Sequence, residues 1–270
     1  MKNLFIALLF VTSYAHAWGP TGHRVVGEIA EKHLSPNTLA KVRGILNGQS
    51  LARVSTWPDE IKSEPAKYSE TFNWHYTDWK EDQEEHDHDH NSGKLIPALE
   101  EQIATLKDES KTQAQKEFAI KFLVHLIGDL HMPLHVGNGL DEGGNWCKVY
   151  YFNQLTNLHR LWDQDMIQGS LLSFTELSEF VQQTYSYKTV EYKKGSIMDW
   201  AIESKNLRNQ IYPAEVIPGM NYCAKPASDT PANLPRLGYE YSYRFMPVVE
   251  ERLYQGGVRL AKVLDSIFNP

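Results

Sequence analysis

The sequence predicts an all-α, or mainly α-helical, protein with one core and at most a short β-hairpin. Over most of the chain, apolar residues recur every three to four positions, which places them on one face of a helix. Only the run 147–152 resembles a strand, and no repeat or linker divides the chain. The 270 residues, 41% hydrophobic and 23% charged, suffice for one sizeable core and exclude a collagen, a coiled-coil rod and a wholly disordered chain.

Helix starts and loop segments follow from local chemistry. We expect Thr21 to cap the first helix, and Ser35 with Pro36 to open the second, because serine accepts a backbone N–H and proline suits the first helical turn. The glycine-rich segment 136–145 and the proline-rich segment 212–236 are expected to be loops. Further helices are predicted over 95–106, 118–130, 157–167, 174–185, 194–210 and 244–267.

The first seventeen residues have the features of a secretory signal peptide. Basic Lys2 precedes the apolar run 4–11, and Ala15-His16-Ala17 fits a cleavage site. The apolar run is shorter than the ~20 residues that span a bilayer, and no later segment qualifies. We therefore predict cleavage after Ala17, a single domain over 18–270, secretion or a periplasmic location, and no stable membrane association.

Charge and cysteine content narrow the class of protein further. Lys and Arg number 27 against 34 Asp and Glu, giving a formal net charge of −7. Because duplex DNA is held through its phosphates, an acidic chain disfavours a simple DNA scaffold but not a metal-dependent enzyme. The two cysteines, Cys147 and Cys223, are expected to form one disulfide in an oxidising compartment, and two buried free thiols are the alternative.

Two sequence motifs carry metal-binding chemistry. His125 and Asp129 in HLIGDLHMPLH (125–135), like His159 and Asp163 in NLHRLWD (157–163), are spaced i, i+4, so each pair lies on one helix face. His135 follows Pro133, where the chain can turn it toward a second ion. Mixed imidazole and carboxylate ligands favour zinc over magnesium, and several such ligands in one chain suggest a multinuclear site of the kind that hydrolyses phosphate esters.

These motifs and others occur in the order of a known family. The chain resembles the trinuclear-zinc, single-strand-specific nucleases of nuclease type I, which include fungal single-strand endonucleases and plant bifunctional nucleases and are related to bacterial zinc phospholipases C. The resemblance covers nearly the whole mature chain. It rests on WGPTGH (18–23), WPDEIK (57–62), NWHYTD (73–78), HLIGDLHMPLH (125–135), GGN (143–145), NLHRLWD (157–163) and WAIES (200–204).

The resemblance implies nine ligand groups for three Zn²⁺ ions. The first ion would be held by Trp18 (its freed α-amino group and backbone carbonyl) and His23, the second by Asp59, His75 and His125, with Asp129 bridging the two, and the third by His135, His159 and Asp163. Amino-terminal ligation would explain why cleavage must occur after Ala17, since an internal amide nitrogen is not basic.

The resemblance also implies roles for residues that contact the substrate. Asp59 would orient the attacking water, while Lys62 and Asn145 would stabilise the scissile phosphate. Tyr76 and Asp78 would hold a base beside the cleavage point. The implied substrates of this monomeric enzyme are single-stranded DNA and RNA, cut to 5′-phosphate products, and 3′-mononucleotides.

Two other functions and several residue roles stay open. A zinc phospholipase C uses the same kind of metal site but needs a headgroup pocket and an apolar surface. A non-catalytic zinc-binding protein would use the EEHDHDH segment (84–90), but a solvated loop is the plainer interpretation. His131 either orients a ligand carboxylate or is structural, and Trp57 and Trp146 are interpreted as packing residues.

Overall fold

The structure, a computed structural model, describes residues 18–87, 92–213, 223 and 234–269. The predicted signal peptide (1–17), residues 88–90 of the EEHDHDH segment and most of the predicted loop 212–236 lie outside the described residues. The mainly α-helical fold is confirmed. The domain boundaries at 1–17 and 18–270 stay predictions.

Helices form most of the described chain. The α-helices are α1 (Pro20–His33), α2 (Pro36–Ile45), α3 (Leu51–Val54), α4 (Trp57–Glu60), α5 (Pro65–Tyr68), α6 (Leu95–Lys107), α7 (Gln113–His131), α8 (Leu158–Arg160), α9 (Met166–Gly169), α10 (Phe174–Tyr185), α11 (Thr189–Tyr192), α12 (Ile197–Ile211) and α13 (Tyr239–Phe268). Short 3₁₀ helices occupy Ile61–Ser63, Ser69–His75, Pro133–His135 and Ser186–Lys188.

The helix ends follow the expected chemistry with one exception. The Ser35 hydroxyl accepts the Thr38 N–H at 3.3 Å, with Pro36 in the first turn of α2, as predicted. The prediction for Thr21 is wrong: Gly19 is the N-cap of α1, because Pro20 takes the first helical position for which its fixed φ is suited. Helix α7 ends two residues before Pro133, as expected.

The predicted helix 157–167 is interrupted. Its middle, Leu161–Asp165, is a single π-helical turn between α8 and α9. No glycine or proline in this stretch indicated the break. Such turns often occur at functional sites, and this one carries Asp163.

The strands are short and more numerous than predicted. A hairpin of β3 (Lys148–Tyr151) and β4 (Gln154–Asn157) is confirmed, and β5 (Arg236–Leu237) adds to β3 in parallel. A second parallel pair joins β1 (Thr77–Asp78) to β2 (Val136–Gly137). Strands of two residues are too short to show an alternating pattern in the sequence.

Helix α7 lies at the centre of the helical packing, in contact with α1, α6, α12 and α13. The first and last helices also pack closely, since a Cβ atom added at Gly257 of α13 would lie 2.5 Å from Cβ of Ile29 in α1. Only glycine permits this approach. Among the described residues, no helix has the length and apolar character needed to cross a bilayer. Core packing therefore fixes the positions of α1, which carries His23, and α7, which carries His125 and Asp129.

Candidate metal centre and substrate cavity

The first cluster forms where α1 and α7 meet the segment after α5. His125 and Asp129 lie one turn apart on α7, with His125 Nε2 3.4 Å from Asp129 Oδ2. His75 Nδ1 is 2.9 Å from His125 Nε2 and 3.3 Å from Asp129 Oδ2. The other Asp129 oxygen, Oδ1, lies 3.3 Å from Nε2 of His23. One carboxylate thus faces two separate groups of imidazole nitrogens, the arrangement expected of a bridging ligand.

Asp59 completes this cluster from α4. Its Oδ1 atom lies 3.8 Å from His75 Nδ1 and 3.7 Å from His125 Nε2. The same oxygen accepts a hydrogen bond from Lys62 Nζ at 2.7 Å. Asp59 in α4 and Lys62 in the 3₁₀ helix that follows are three residues apart, so their side chains point to the same side. The lysine therefore stands next to the carboxylate that faces the cluster.

The second cluster contains His135, His159 and Asp163. His159 Nε2 lies 3.1 Å from Asp163 Oδ2, and His135 Nε2 lies 3.7 Å from Asp163 Oδ1. Each histidine donates its Nδ1–H to a backbone carbonyl, that of His75 for His135 and, at 2.7 Å, that of Gly143 for His159. These hydrogen bonds orient both rings so that each Nε2 atom faces Asp163.

Trp18 lies between the two clusters and is fully buried. The N–H of the next residue, Gly19, donates to the Asp163 carbonyl at 2.8 Å, which holds this end of the chain against the second cluster. A Cβ added at Gly128 of α7 would lie 2.8 Å from His23 Nδ1 and 3.6 Å from Trp18 Cδ1. The new amino terminus predicted by signal-peptide cleavage therefore begins beside both clusters.

Burial sets the protonation states of the first cluster. Desolvation lowers the pKa of His125 to about 4, and lowers the pKa values of His23 and His75 well below their ordinary value. Desolvation and repulsion from Asp59 raise the pKa of Asp129 well above its usual range. The imidazoles are therefore neutral at pH 7, the form that binds metal, and the buried carboxylate needs a nearby positive charge to ionise.

In the second cluster, neighbouring charges outweigh burial. Desolvation alone would raise the pKa of Asp163. The charges of nearby His159 and His135 outweigh desolvation, so the pKa of Asp163 is lowered overall. The carboxylate is thus ionised at neutral pH and available as a ligand.

Unsatisfied buried atoms test whether these residues fit metal ions. Among the described residues, no hydrogen-bond partner is found for either Asp129 carboxylate oxygen, His23 Nε2, His135 Nε2 or Asp163 Oδ1. Buried polar groups are normally hydrogen-bonded, so such a concentration of exceptions indicates missing ligands. Tetrahedral zinc ligands lie about 3.3 Å apart, close to the separations within each cluster. The donor sets fit divalent cations such as zinc.

A cavity of about 480 Å³ opens beside the two clusters. The residues predicted to contact substrate line it together with three of the histidines: Lys62, Tyr76, Asp78, Asn145, His75, His135 and His159. Tyr76 is 38% exposed, so its ring is accessible. Asp78 accepts a hydrogen bond from the Ser92 hydroxyl, and desolvation raises its pKa. The predicted phosphate and base contacts thus face one space.

A comparison with protein-family models matches residues 18–269 to the family described as S1/P1 Nuclease. The chain belongs to the S1/P1 nuclease family. Endonuclease 4 of Arabidopsis thaliana is 30% identical over 100% of this chain and 96% of its own length. Nuclease S1 of Aspergillus oryzae is 31% identical over 97% of this chain and 95% of its own length. Nuclease P1 of Penicillium citrinum is 32% identical over 59% of this chain and 63% of its own length. The predicted resemblance is confirmed.

S1/P1 nucleases are zinc-dependent, which agrees with the donor chemistry of both clusters. The disulfide between Cys147 and Cys223 is confirmed, so the alternative of two free thiols is wrong. A disulfide fits an extracellular protein. The phospholipase alternative is not favoured by the family assignment.

Several residues at this family site differ from expectation or escaped the sequence analysis. Trp146 lines the cavity instead of serving only as a packing residue, because it directly follows Asn145 in a loop that faces the cavity. Trp57 does pack, edge-on, against Phe122 at 5.9 Å. Phe72 and Glu142 also line the cavity. Their positions next to the NWHYTD and GGN motifs were the available sequence clue.

Among the described residues, His33, His86 and His131 belong to neither cluster. His131 hydrogen-bonds to Ile127 and Arg259 instead of to a ligand carboxylate, so its structural interpretation is the correct one. His86 Nε2 lies 2.7 Å from the Thr77 hydroxyl, at the described end of the EEHDHDH segment.

Proposed function

We propose that this protein is a zinc-dependent endonuclease that hydrolyses single-stranded DNA and RNA to 5′-phosphate products and also acts on 3′-mononucleotides. The observation that carries this proposal is the cavity itself. It joins unsatisfied metal-type ligands to Lys62 and Asn145 on one side and to Tyr76 and Asp78 on the other. Phosphate chemistry and base binding can therefore occur on the same nucleotide.

Three zinc ions would occupy the clusters. His23, with the freed amino group and carbonyl of Trp18, would hold one ion, the set of Asp59, His75 and His125 a second, and the set of His135, His159 and Asp163 a third, with Asp129 shared between the first two. When bound, the ions supply Lewis acidity that activates water and neutralises charge on the reacting phosphate.

The side chains around the ions have separate tasks. Asp59 Oδ1 accepts a hydrogen bond from the attacking water and aligns it with phosphorus. Lys62, already hydrogen-bonded to Asp59, donates to a non-bridging phosphate oxygen, as does the Asn145 amide. Cleavage of the O3′–P bond leaves the phosphate on the 5′ end. The same bond is present in a 3′-mononucleotide.

Preference for single strands follows from base binding. A base must swing out to stack on Tyr76 and to donate a hydrogen bond to Asp78. In a duplex this costs a few kcal/mol of unpairing and unstacking, whereas in a single strand it costs little. The net charge of −7 gives weak general attraction for phosphate, so binding depends on the cavity.

A cleavage assay on matched single-stranded and duplex oligonucleotides tests the function. We expect zinc-dependent cutting of the single strand, 5′-phosphate and 3′-hydroxyl ends, and loss of rate after chelation. The matched control is Asp59→Asn, which keeps the shape of the side chain but should lose most of the rate. Turnover of single strands by fully metal-stripped protein, or equal rates on both substrates, contradicts the proposal.

Export and processing of the chain complete the proposal. We propose that the protein is secreted or periplasmic and acts as a monomer without stable membrane association. Amino-terminal sequencing of the exported protein should give Trp18 as the first residue. A variant that keeps two extra residues before Trp18 should bind one zinc ion fewer and lose most of its rate. Full zinc content in that variant contradicts ligation by the amino terminus.

A further inference from the structure

A buried carboxylate outside the two clusters, Asp141, lies two residues before the GGN motif. Its side chain is only 3% exposed. The Oδ1 atom accepts the N–H of Gly144 at 2.9 Å, and Oδ2 accepts the hydroxyl hydrogen of Tyr212 at 2.7 Å. The Sγ atom of Cys147, bonded to Cys223, lies 3.1 Å from Oδ2. Asp141 thus ties the loop to the end of α12 and lies against the disulfide.

The loop that Asp141 holds has an unusual backbone. Glu142, Gly143 and Gly144 have consecutive φ values of +53°, +58° and +81°. The left-handed region disfavours a residue with a side chain such as Glu142, and it persists only where the surroundings determine it. A Cβ at Gly143 would lie 2.5 Å from the Leu134 carbonyl oxygen, so the loop presses against the segment that leads into His135.

The same loop reaches both the second ligand cluster and the cavity. The Gly143 carbonyl accepts the Nδ1–H of His159 at 2.7 Å, which orients that ring. Two residues later, Asn145 lines the cavity, with its amide donating to the Glu142 carbonyl at 2.9 Å. A change in loop conformation therefore moves a metal ligand and a phosphate contact together.

We propose that Asp141 is a positioning residue that holds segment 141–145 so that His159 binds its metal and Asn145 meets the phosphate. The proposal rests on the function proposed above for His159 and Asn145. Asp141 touches neither metal nor substrate. It acts by accepting the Gly144 N–H inside a left-handed turn, and Tyr212 keeps its carboxylate in place. Removing a hydrogen bond made directly to a metal ligand typically weakens metal affinity or activity ~10–100-fold, and Asp141 supports the turn whose Gly143 carbonyl makes that bond to His159.

Chelator titration of zinc-loaded protein tests this assignment without relying on activity. In Asp141→Ala, we expect one zinc ion per chain to be lost at a chelator concentration lower by up to ~10-fold, the low end of the effect of losing a direct hydrogen bond to a ligand. The kcat on single-stranded DNA should fall more than KM rises. Asp141→Asn keeps an oxygen for the Gly144 N–H and should recover most of both properties. The matched control is Asp108→Ala, which removes a carboxylate that accepts the Ser110 N–H at 2.8 Å in an exposed turn.

Tyr212→Phe provides a second variant that removes only a hydroxyl group. It should shift the same zinc ion in the same direction by a smaller factor. Wild-type zinc retention in both Asp141→Ala and Tyr212→Phe overturns the assignment. The assignment is also overturned if Asp141→Ala does not fold, Asp141→Asn is equally impaired, and Tyr212→Phe retains zinc like the wild type. If zinc-loaded wild-type protein does not cut single strands, the proposed function fails, while the zinc titration still decides the role of Asp141.

Discussion

Two buried histidine networks lie on the same helix and differ in one property, the pairing of their polar atoms. At the candidate metal centre, both Asp129 oxygens and His23 Nε2 lack hydrogen-bond partners among the described residues. Two residues along α7, His131 is equally buried but fully paired. Its Nδ1–H donates to the Ile127 carbonyl at 2.7 Å, and its Nε2 accepts from Arg259 Nη1 at 3.0 Å.

The paired network extends to the last helix. Arg252 donates to the His131 carbonyl at 3.0 Å and to Glu203 Oε2 at 2.8 Å. Arg259 donates to both Glu203 oxygens and, at 2.8 Å, to the Tyr192 carbonyl. Two buried guanidinium groups thus share one half-buried carboxylate. The paired network contains the positive charges that neutralise its carboxylate, whereas Asp129 has no hydrogen-bond partner among the described residues and requires a bound cation.

This difference shows how ligands can be told from structural residues within one motif. Burial alone does not separate them, since His125 and His131 are both fully buried. Lowered pKa values do not separate them either, because desolvation lowers both. The distinction lies in the neighbouring polar atoms: His131 faces a carbonyl and a guanidinium donor, whereas His125 Nε2 lies beside an Asp129 carboxylate whose oxygens have no hydrogen-bond partner among the described residues. It predicts that substitutions in the two networks affect different measured properties.

The largest effect is expected at Asp129. Asp129→Asn should lower the rate on single-stranded DNA by about 10³-fold, because charge stabilisation by metal ions is worth several kcal/mol. Zinc content should fall together with the rate. Asp199→Asn, in the first turn of α12, serves as the control and should keep both. If Asp129→Asn kept its activity and its full zinc content, the contrast drawn between the two networks would be wrong.

Glu203→Gln should lower the stability of the fold and leave the zinc content unchanged. It leaves Arg252 and Arg259 buried without their carboxylate. We expect a loss of about 2 kcal/mol in the free energy of unfolding, less than the ~3–5 kcal/mol of a fully buried pair, because Glu203 is partly exposed. Urea unfolding measures this loss, and zinc content at saturation should stay that of wild type. Loss of zinc without loss of stability would reverse the roles assigned to the two networks.

The Glu203 effect should also depend on pH. Burial favours a raised pKa for Glu203, but its bonds to Arg259 and Arg252 outweigh burial and lower it below the ordinary 4.5. A depressed folded-state pKa contributes stability above the unfolded value, and this contribution is lost as pH falls through the folded value. The stability difference between wild type and Glu203→Gln should therefore be complete at pH 7 and shrink below pH 4.5. A constant difference down to acid pH would exclude an ionic cause.

The smallest effect is expected at an exposed ion pair. Lys32 lies 3.4 Å from Glu28 on the surface of α1, with 46% of the lysine side chain exposed. Lys32→Met should change the free energy of unfolding by less than about 0.5 kcal/mol, because solvent screens such pairs. Urea unfolding of Lys32→Met and Glu203→Gln, compared with the wild type, measures the two losses in stability. An effect as large as that of Glu203→Gln would mean that burial does not set these energies.

Two pairs of candidate ligands were predictable from local spacing, whereas Trp18, His23, Asp59 and His75 were implied only by the family resemblance. His125 and Asp129 meet through one helical turn, and His159 still meets Asp163 although a π turn replaces the predicted helix. The spacing restricts where the side chains can point, so the contact survives an error in the secondary structure.

Other features depend on contacts between distant parts of the chain. Arg259 pairs with His131 across 128 positions, and Tyr212 meets Asp141 across 71. No local pattern encodes such pairs. The two-residue strands β1 and β2 exist only because the tertiary fold brings Thr77 beside Val136.

The tight packing of α1 against α13 has a consequence for how the enzyme comes into being. Ser35 donates its N–H to Asp265, and the carbonyl of Phe268 accepts from Lys41 at 2.7 Å, so the two ends of the described chain are fastened together across more than 220 positions. A chain still emerging during synthesis lacks the partner that covers the helix bearing His23. Contacts of such long range form late in folding, so a growing polypeptide cannot complete the hydrolytic centre until α13 has been made.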